Sequence, residues 1–200
     1  MHCEVRHRGA KSEVLRPVRQ GEVYPSIQFT EADTGSDPRA LITTAVADGD
    51  HFLINGMKRF STFGARDGYA VVYANDETGG CSAFISEKNI DGYSAGSIWE
   101  LMGGGGIEAA DVYYDNLRLP RENILGAKGE GLNILLFWIA DEKIQQCGAC
   151  VGIGQAALDE AVSYAKTRTV KGKPQVSLQG IQWMLAEMSS QLEAARGGLT

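Results

Sequence analysis

The feature that most constrains the fold is a change of hydrophobic pattern near Gly131. Upstream, from Ala40 to Leu119, short apolar runs alternate with turn residues. "LITTAVA" precedes Asp48-Gly49-Asp50, "HFLI" precedes Asn55-Gly56, "YAVVYA" precedes "NDETGG", and "SAFIS" and "ADVYYDNLRLP" follow. Such runs read as strands. Asx-Gly pairs between them predict tight hairpin turns, because both central residues must tolerate positive φ. Downstream, residues 131 to 168 contain no proline, and "QAALDEAVSYAKTR" ends in basic residues, as a helix C-terminus prefers. A second helix starts near Ser177, with Leu178, Ile181, Leu185, Met188 and Leu192 spaced at three or four. A period of two followed by a period of 3.6 implies an α+β chain: an antiparallel β-barrel or sheet domain, then long helices of an incomplete four-helix bundle.

The ends fit that picture. "KSEVLRPVRQGE" reads as one amphipathic helix with nothing before it, and the two later helices have apolar faces that call for further helices. We therefore expect a fragment of a longer protein, with poor solubility or oligomers for the isolated chain. No apolar run approaches the roughly 20 residues that span a bilayer. "MHCEVRHRGAK" has no apolar core of a secretory signal, so a cytoplasmic location is the default expectation. A net charge of −6 with no basic face argues against nucleic acid. Cys147 and Cys150 form a CxxC, but a zinc site needs two more ligands, and Cys3 and Cys81 stand alone; the cysteines read as small packing residues, with no metal site. His2, His7 and His51 read as surface histidines.

Several stretches point further: "FTEADTGSD" at 29–37, "DGDHFLINGMKRFST", "DNLRLPRENILGAKGEGLNILL", "GIGQAALDEAVSYAKTR" and "LQGIQWMLAEM". In this order, from about Gly9 onward, they resemble the flavin-dependent acyl-CoA dehydrogenase family. The resemblance implies the end of an N-terminal helical domain at 1–24, a middle β domain at 25–126 that binds flavin and acyl-CoA, and the start of a C-terminal helical domain at 127–200. It also implies FAD as cofactor, an acyl-CoA substrate, an electron-transfer flavoprotein as acceptor, and a homodimer or homotetramer.

On this resemblance, Phe29, Thr30, Gly35 and Ser36 hold the cofactor from "FTEADTGSD", where hydroxyl and N–H donors can meet a flavin's polar edge. Ser36 also faces substrate. Phe60, Ser61 and Thr62 follow as the aromatic and hydroxyl residues beside the ring, Phe60 standing where the family usually has tryptophan. Arg168 and Gln179 match positions that reach a neighbouring subunit's cofactor. Without the resemblance, 29–37 is an Asp/Gly/Ser turn, Phe60 a sheet-core residue, Thr62 a strand residue and Arg168 a helix-end cation.

Oxidising an acyl thioester to its 2,3-enoyl form requires a base for the α-proton while the β-hydride leaves to the flavin. On the resemblance, most of the family places this base, a carboxylate, in the C-terminal half, beyond Thr200, and a minority places a glutamate base in a "DxER" on the first C-terminal helix. Here "IADEKI" puts Glu142 at that position as catalytic base and Lys143 as a substrate contact, with a solvated helical turn as the plain alternative. The chain departs from the family at Ala32, Ala140, Val170 and Lys171, and in "MGGGGIEAAD", where Gly105, Ile107 and Ala109 replace arginine and hydroxyl residues. Gly103 to Gly106 form either a flexible loop or a close backbone approach to a ligand. Other functions left open are a flavin-dependent oxidase or monooxygenase of the same family, and a non-catalytic binding module.

Overall fold

The computed structural model describes residues 8–103 and 106–199. His2, Cys3, His7, Gly104 and Gly105 lie outside the described residues. The chain divides into two compact units, Met1–Leu136 and Phe137–Thr200. The described residues are α+β, with a mostly antiparallel sheet and three α-helices.

The first unit opens with α1 (Arg8–Gln20) and continues with β1 (Ser26–Gln28), β2 (Thr44–Asp48), β3 (His51–Thr62), β4 (Tyr69–Asp76), β5 (Cys81–Glu87), β6 (Tyr93–Ile98), β7 (Ala109–Pro120) and β8 (Ile124–Leu125). The sheet order is β6-β7-β3-β2-β4-β5-β8, with β1 beside β4. β1 and β2 both run parallel to β4, so the sheet is not a simple meander. Asp48-Gly49-Asp50 makes the expected tight turn, pairing Asp48 with His51.

Asn55-Gly56 does not turn. It lies inside the 12 residues of β3, at an irregularity opposite β7. Asn55 holds this kink by accepting the Asn116 backbone N–H at 2.8 Å. A side chain at Gly56 would come within 2.9 Å of the Thr43 Cα, so glycine is needed here for close backbone approach. β6 lies outside the strands expected from the sequence. Its residues are mostly small, and only Tyr93 among them is buried.

Inward-facing Phe52, Ile54, Val72, Phe84, Val112, Leu117 and Leu119 form the core. Each such side chain contributes roughly 1.5–3 kcal/mol by leaving water. A buried polar chain runs through the core. Gln28 Nε2 donates to Tyr93 Oη at 2.8 Å, Tyr93 Oη donates to the Gly64 carbonyl at 2.7 Å, and Tyr114 Oη donates to Gln28 Oε1.

α2 (Gly131–Thr167) begins in the first unit and supplies about half of the second. At its start Gly131 lies against the Ser82–Ala83 backbone, where a Cβ would clash at 2.5 Å. The second unit continues with a small hairpin, β9 (Thr169–Val170) and β10 (Lys173–Pro174), then α3 (Gln179–Gly197). Lys171 and Gly172, both at positive φ, make the turn between β9 and β10. α3 starts two residues after Ser177, behind a short 3₁₀ turn. α2 and α3 meet where Leu192 fills the space beside Gly154 and Arg196 donates to Gln155 at 2.8 Å. Cys147 and Cys150 are exposed on α2 and do not pack as expected, whereas Cys81 is buried.

Candidate flavin site

The segment 29–37 is a tight loop. Glu31 N–H donates to the Thr34 carbonyl at 2.8 Å, and Thr34 Oγ1 to the Asp37 carbonyl at 2.7 Å. A buried carboxylate anchors it: Glu31 accepts from Lys58 Nζ at 2.8 Å, Ile42 N–H at 2.6 Å, Thr43 N–H at 3.0 Å and Thr43 Oγ1 at 2.5 Å. Burial alone would raise the Glu31 pKa, but these donors hold it below the ordinary carboxylate value. Lys58 is pushed down to about 8 by burial against the opposing pull of Glu31. The sequence motifs do not reveal this pair. Its signal is a lysine on a strand otherwise set to face the core, which requires a buried anion.

Lys58 Nζ also donates to the Phe29 carbonyl at 3.2 Å, and Arg59 N–H to the Thr30 carbonyl at 2.8 Å. The expected cofactor loop and the end of β3 are therefore stitched together. Gly35 and Ser36 are exposed at the loop tip, and a Cβ at Gly35 would make only an ordinary 3.5 Å contact with the Thr30 methyl.

β3 carries a second irregularity, between Lys58 and Ser61. Lys58 and Ser61 both turn inward, while Arg59 and Phe60 between them do not. Phe60 takes φ 55, a left-handed conformation costly for a bulky residue, and is 51% exposed rather than in the sheet core. Thr62 is exposed, whereas the Ser61 hydroxyl is buried with no hydrogen-bond partner. The Ser61 side chain therefore does not join Phe60 and Thr62 on the outer side. Trp99, likewise outside the motifs, packs on Phe60 with ring centroids 5.2 Å apart.

The remaining expected residues belong to the second unit. Glu142 is half-buried on α2, and its Oε1 accepts from Gln146 at 2.7 Å; Lys143 is exposed. Arg168 is exposed at the end of α2, its carbonyl accepting Gln175 N–H at 2.7 Å, and Gln179 is exposed at the start of α3.

Among the described residues, the hydroxyls of Thr30, Ser36 and Thr62 make no hydrogen bond within the chain. Free hydroxyls on the loop and on β3, with an exposed aromatic ring at Phe60, are the kinds of group a flavin needs, since it pairs an apolar planar ring with a polar edge.

Comparison with known proteins agrees with this chemistry. Residues 26–117 match the acyl-CoA dehydrogenase middle domain and residues 129–199 the acyl-CoA dehydrogenase C-terminal domain. An acryloyl-CoA reductase (NADH) of Anaerotignum propionicum is 35% identical over 192 residues, covering 93% of this chain and 49% of the relative. The structure of butyryl-CoA dehydrogenase from Megasphaera elsdenii superposes with a TM-score of 0.93 at 32% identity, over 98% of this chain and 52% of the other. A glutaryl-CoA dehydrogenase of Mycobacterium smegmatis in complex with FADH2 gives a TM-score of 0.89 at 26% identity, over 96% and 49%. The chain spans about half the length of the curated relatives it matches. With both domains matched in order and the fold shared over nearly its whole length, the chain belongs to the acyl-CoA dehydrogenase family.

Proposed function

We propose that the protein to which this chain belongs oxidises an acyl-CoA thioester to the 2,3-enoyl-CoA, with FAD as cofactor. The observation that carries the reading is Phe60, held outward in a strained bulge of β3 whose Arg59 N–H bonds the Thr30 carbonyl, with the hydroxyls of Thr30 and Thr62 unengaged. FAD, when bound, supplies the acceptor for the β-hydride. The residues divide the remaining work. Phe60 packs on the ring, Thr30 and Thr62 bond its polar edge, and the Phe29 and Ser61 backbones, with Gly35 and Ser36, complete the cradle. Ser36 and Lys143 hold the thioester, and Glu142 removes the α-proton. In an assembled homodimer or homotetramer, Arg168 and Gln179 reach the neighbouring subunit's cofactor. Electrons leave to an electron-transfer flavoprotein in the cytoplasm. The division at 1–24, 25–126 and 127–200 is part of the same proposal. Among the described residues, no helix is long and apolar enough to cross a membrane.

The Glu142→Gln variant tests this assignment. It is expected to bind FAD as the wild type does and to lose about 10²–10⁴ in the rate at which an acyl-CoA removes the oxidised flavin absorbance. An unchanged rate would take the base away from Glu142. A second reading, net reduction of an enoyl thioester, is favoured by the acryloyl-CoA reductase relative. Comparing turnover from the saturated and the unsaturated thioester decides between the two directions.

A further inference from the structure

We propose that Trp99 and Phe60 together form the aromatic wall that receives the flavin ring, and that Asp111 positions the indole for it. The proposal rests on the flavin reading above and extends it to residues outside the sequence motifs. A tricyclic ring is longer than one phenyl group, and Phe60 alone offers it little area. Trp99 supplies the rest. Its centroid lies 5.2 Å from that of Phe60, the planes inclined at 50°, and the two side chains remain 39% and 51% exposed. Two touching aromatic rings left half in water are a binding surface, not a core.

The indole is fixed from behind. Its Nε1–H donates to Asp111 Oδ1 at 3.0 Å, and its backbone N–H donates to the Ala109 carbonyl at 2.8 Å. The Arg59 guanidinium lies 5.4 Å from the indole and 6.0 Å from the Phe60 ring, and its Nη2 donates to Asp111 Oδ2 at 3.5 Å. Asp111 thus binds the indole with one oxygen and the arginine stacked beside it with the other. The buried Arg59 Nε, 3.5 Å from Asp111 Oδ1, completes no hydrogen bond. Strain at Phe60 is retained because this cluster over-determines its position, as at other ligand sites. Thr30, whose carbonyl receives the Arg59 N–H, and Thr62, two residues beyond Phe60, carry free hydroxyls on the same stretches of chain.

The test is FAD titration of the full chain, read by quenching of flavin fluorescence and of tryptophan emission, with thermal melting as a folding control. Trp99→Ala is expected to weaken FAD about tenfold, the scale of a lost aromatic contact, with an unchanged melt. Trp99→Phe is expected to bind a few-fold more weakly and to lose part of the emission quenched by FAD. Asp111→Ala is expected to match Trp99→Ala, while Asp111→Asn, which keeps an acceptor for the indole, binds within about twofold of wild type. Wild-type affinity in Trp99→Ala, or equal losses in the two Asp111 variants, would overturn the proposal while leaving the flavin reading intact. A wild-type chain that takes up no FAD would overturn both.

Discussion

In the β unit the core side chains close on one another: Ile54, Val72, Phe84 and Leu117 are 0% exposed. In the helical unit Phe137, Ile144, Ile153 and Trp183 are between 65% and 71% exposed, and α3 has no buried residue at all. The inner strands β7, β3, β2, β4 and β5 have backbone partners on both sides and share a core face, so the β unit largely satisfies itself. Two helices can bury only the face they turn to each other, and a helix apolar on several sides needs more neighbours. The difference separates two kinds of apolar residue. The buried ones of the β unit make stability within the unit; the exposed ones of α2 and α3 contribute little to it.

The largest expected effect breaks the β unit from inside. Lys58→Met leaves the Glu31 carboxylate buried without its cation, which costs about 3–5 kcal/mol. At about 2–4 °C per kcal/mol, melting should fall by roughly 10 °C, and a melt unchanged within 2 °C, on the same scale, would mean that the pair anchors nothing. Next comes Gly56→Ala, which drives a Cβ against the Thr43 backbone at a φ of 145 and should cost about 2 kcal/mol by urea unfolding.

A smaller effect follows from the buried phenols. Burial pushes Tyr93 up to about 12 and Tyr114 well above its ordinary value. Above about pH 10 the unfolded chain loses these phenolic protons while the folded one keeps them, so their stabilisation is present below that pH and is lost as pH rises toward 12. Unfolding free energy should therefore decline over that interval, and less steeply in Tyr93→Phe; equal slopes would contradict the assignment. The smallest effect belongs to the helical unit. Trp183→Gln and Ile153→Gln should change the stability of the chain by less than about 0.5 kcal/mol while reducing self-association in sedimentation. A loss above roughly 2 kcal/mol would place these residues in an internal core and erase the contrast.

The switch at Gly131 carries the α+β division, because a period of two and a period of 3.6 cannot describe the same element. The Asp48-Gly49-Asp50 turn was legible for a local reason: short-range φ preferences decide it. Asn55-Gly56 uses the same residue types for another purpose, since the approach of the Thr43 backbone is set by a strand pairing that local sequence does not encode. β6 was hidden because its outward residues, Ser94, Ala95 and Ser97, give it no apolar alternation. At the site, the motif stretches 29–37 and 58–62 are joined in space by the Arg59–Thr30 backbone bond. Glu31–Lys58 and Trp99–Asp111 escaped because each pairs residues whose partnership depends on strand order, 27 and 12 positions apart.

The most direct test is the visible absorption spectrum of the full chain after incubation with FAD and removal of the excess, recorded before and after anaerobic addition of a short-chain acyl-CoA. A site built on Thr30, Phe60 and Thr62 predicts a flavin band near one equivalent per chain that falls when the thioester is added. A colourless protein that retains no FAD would contradict it.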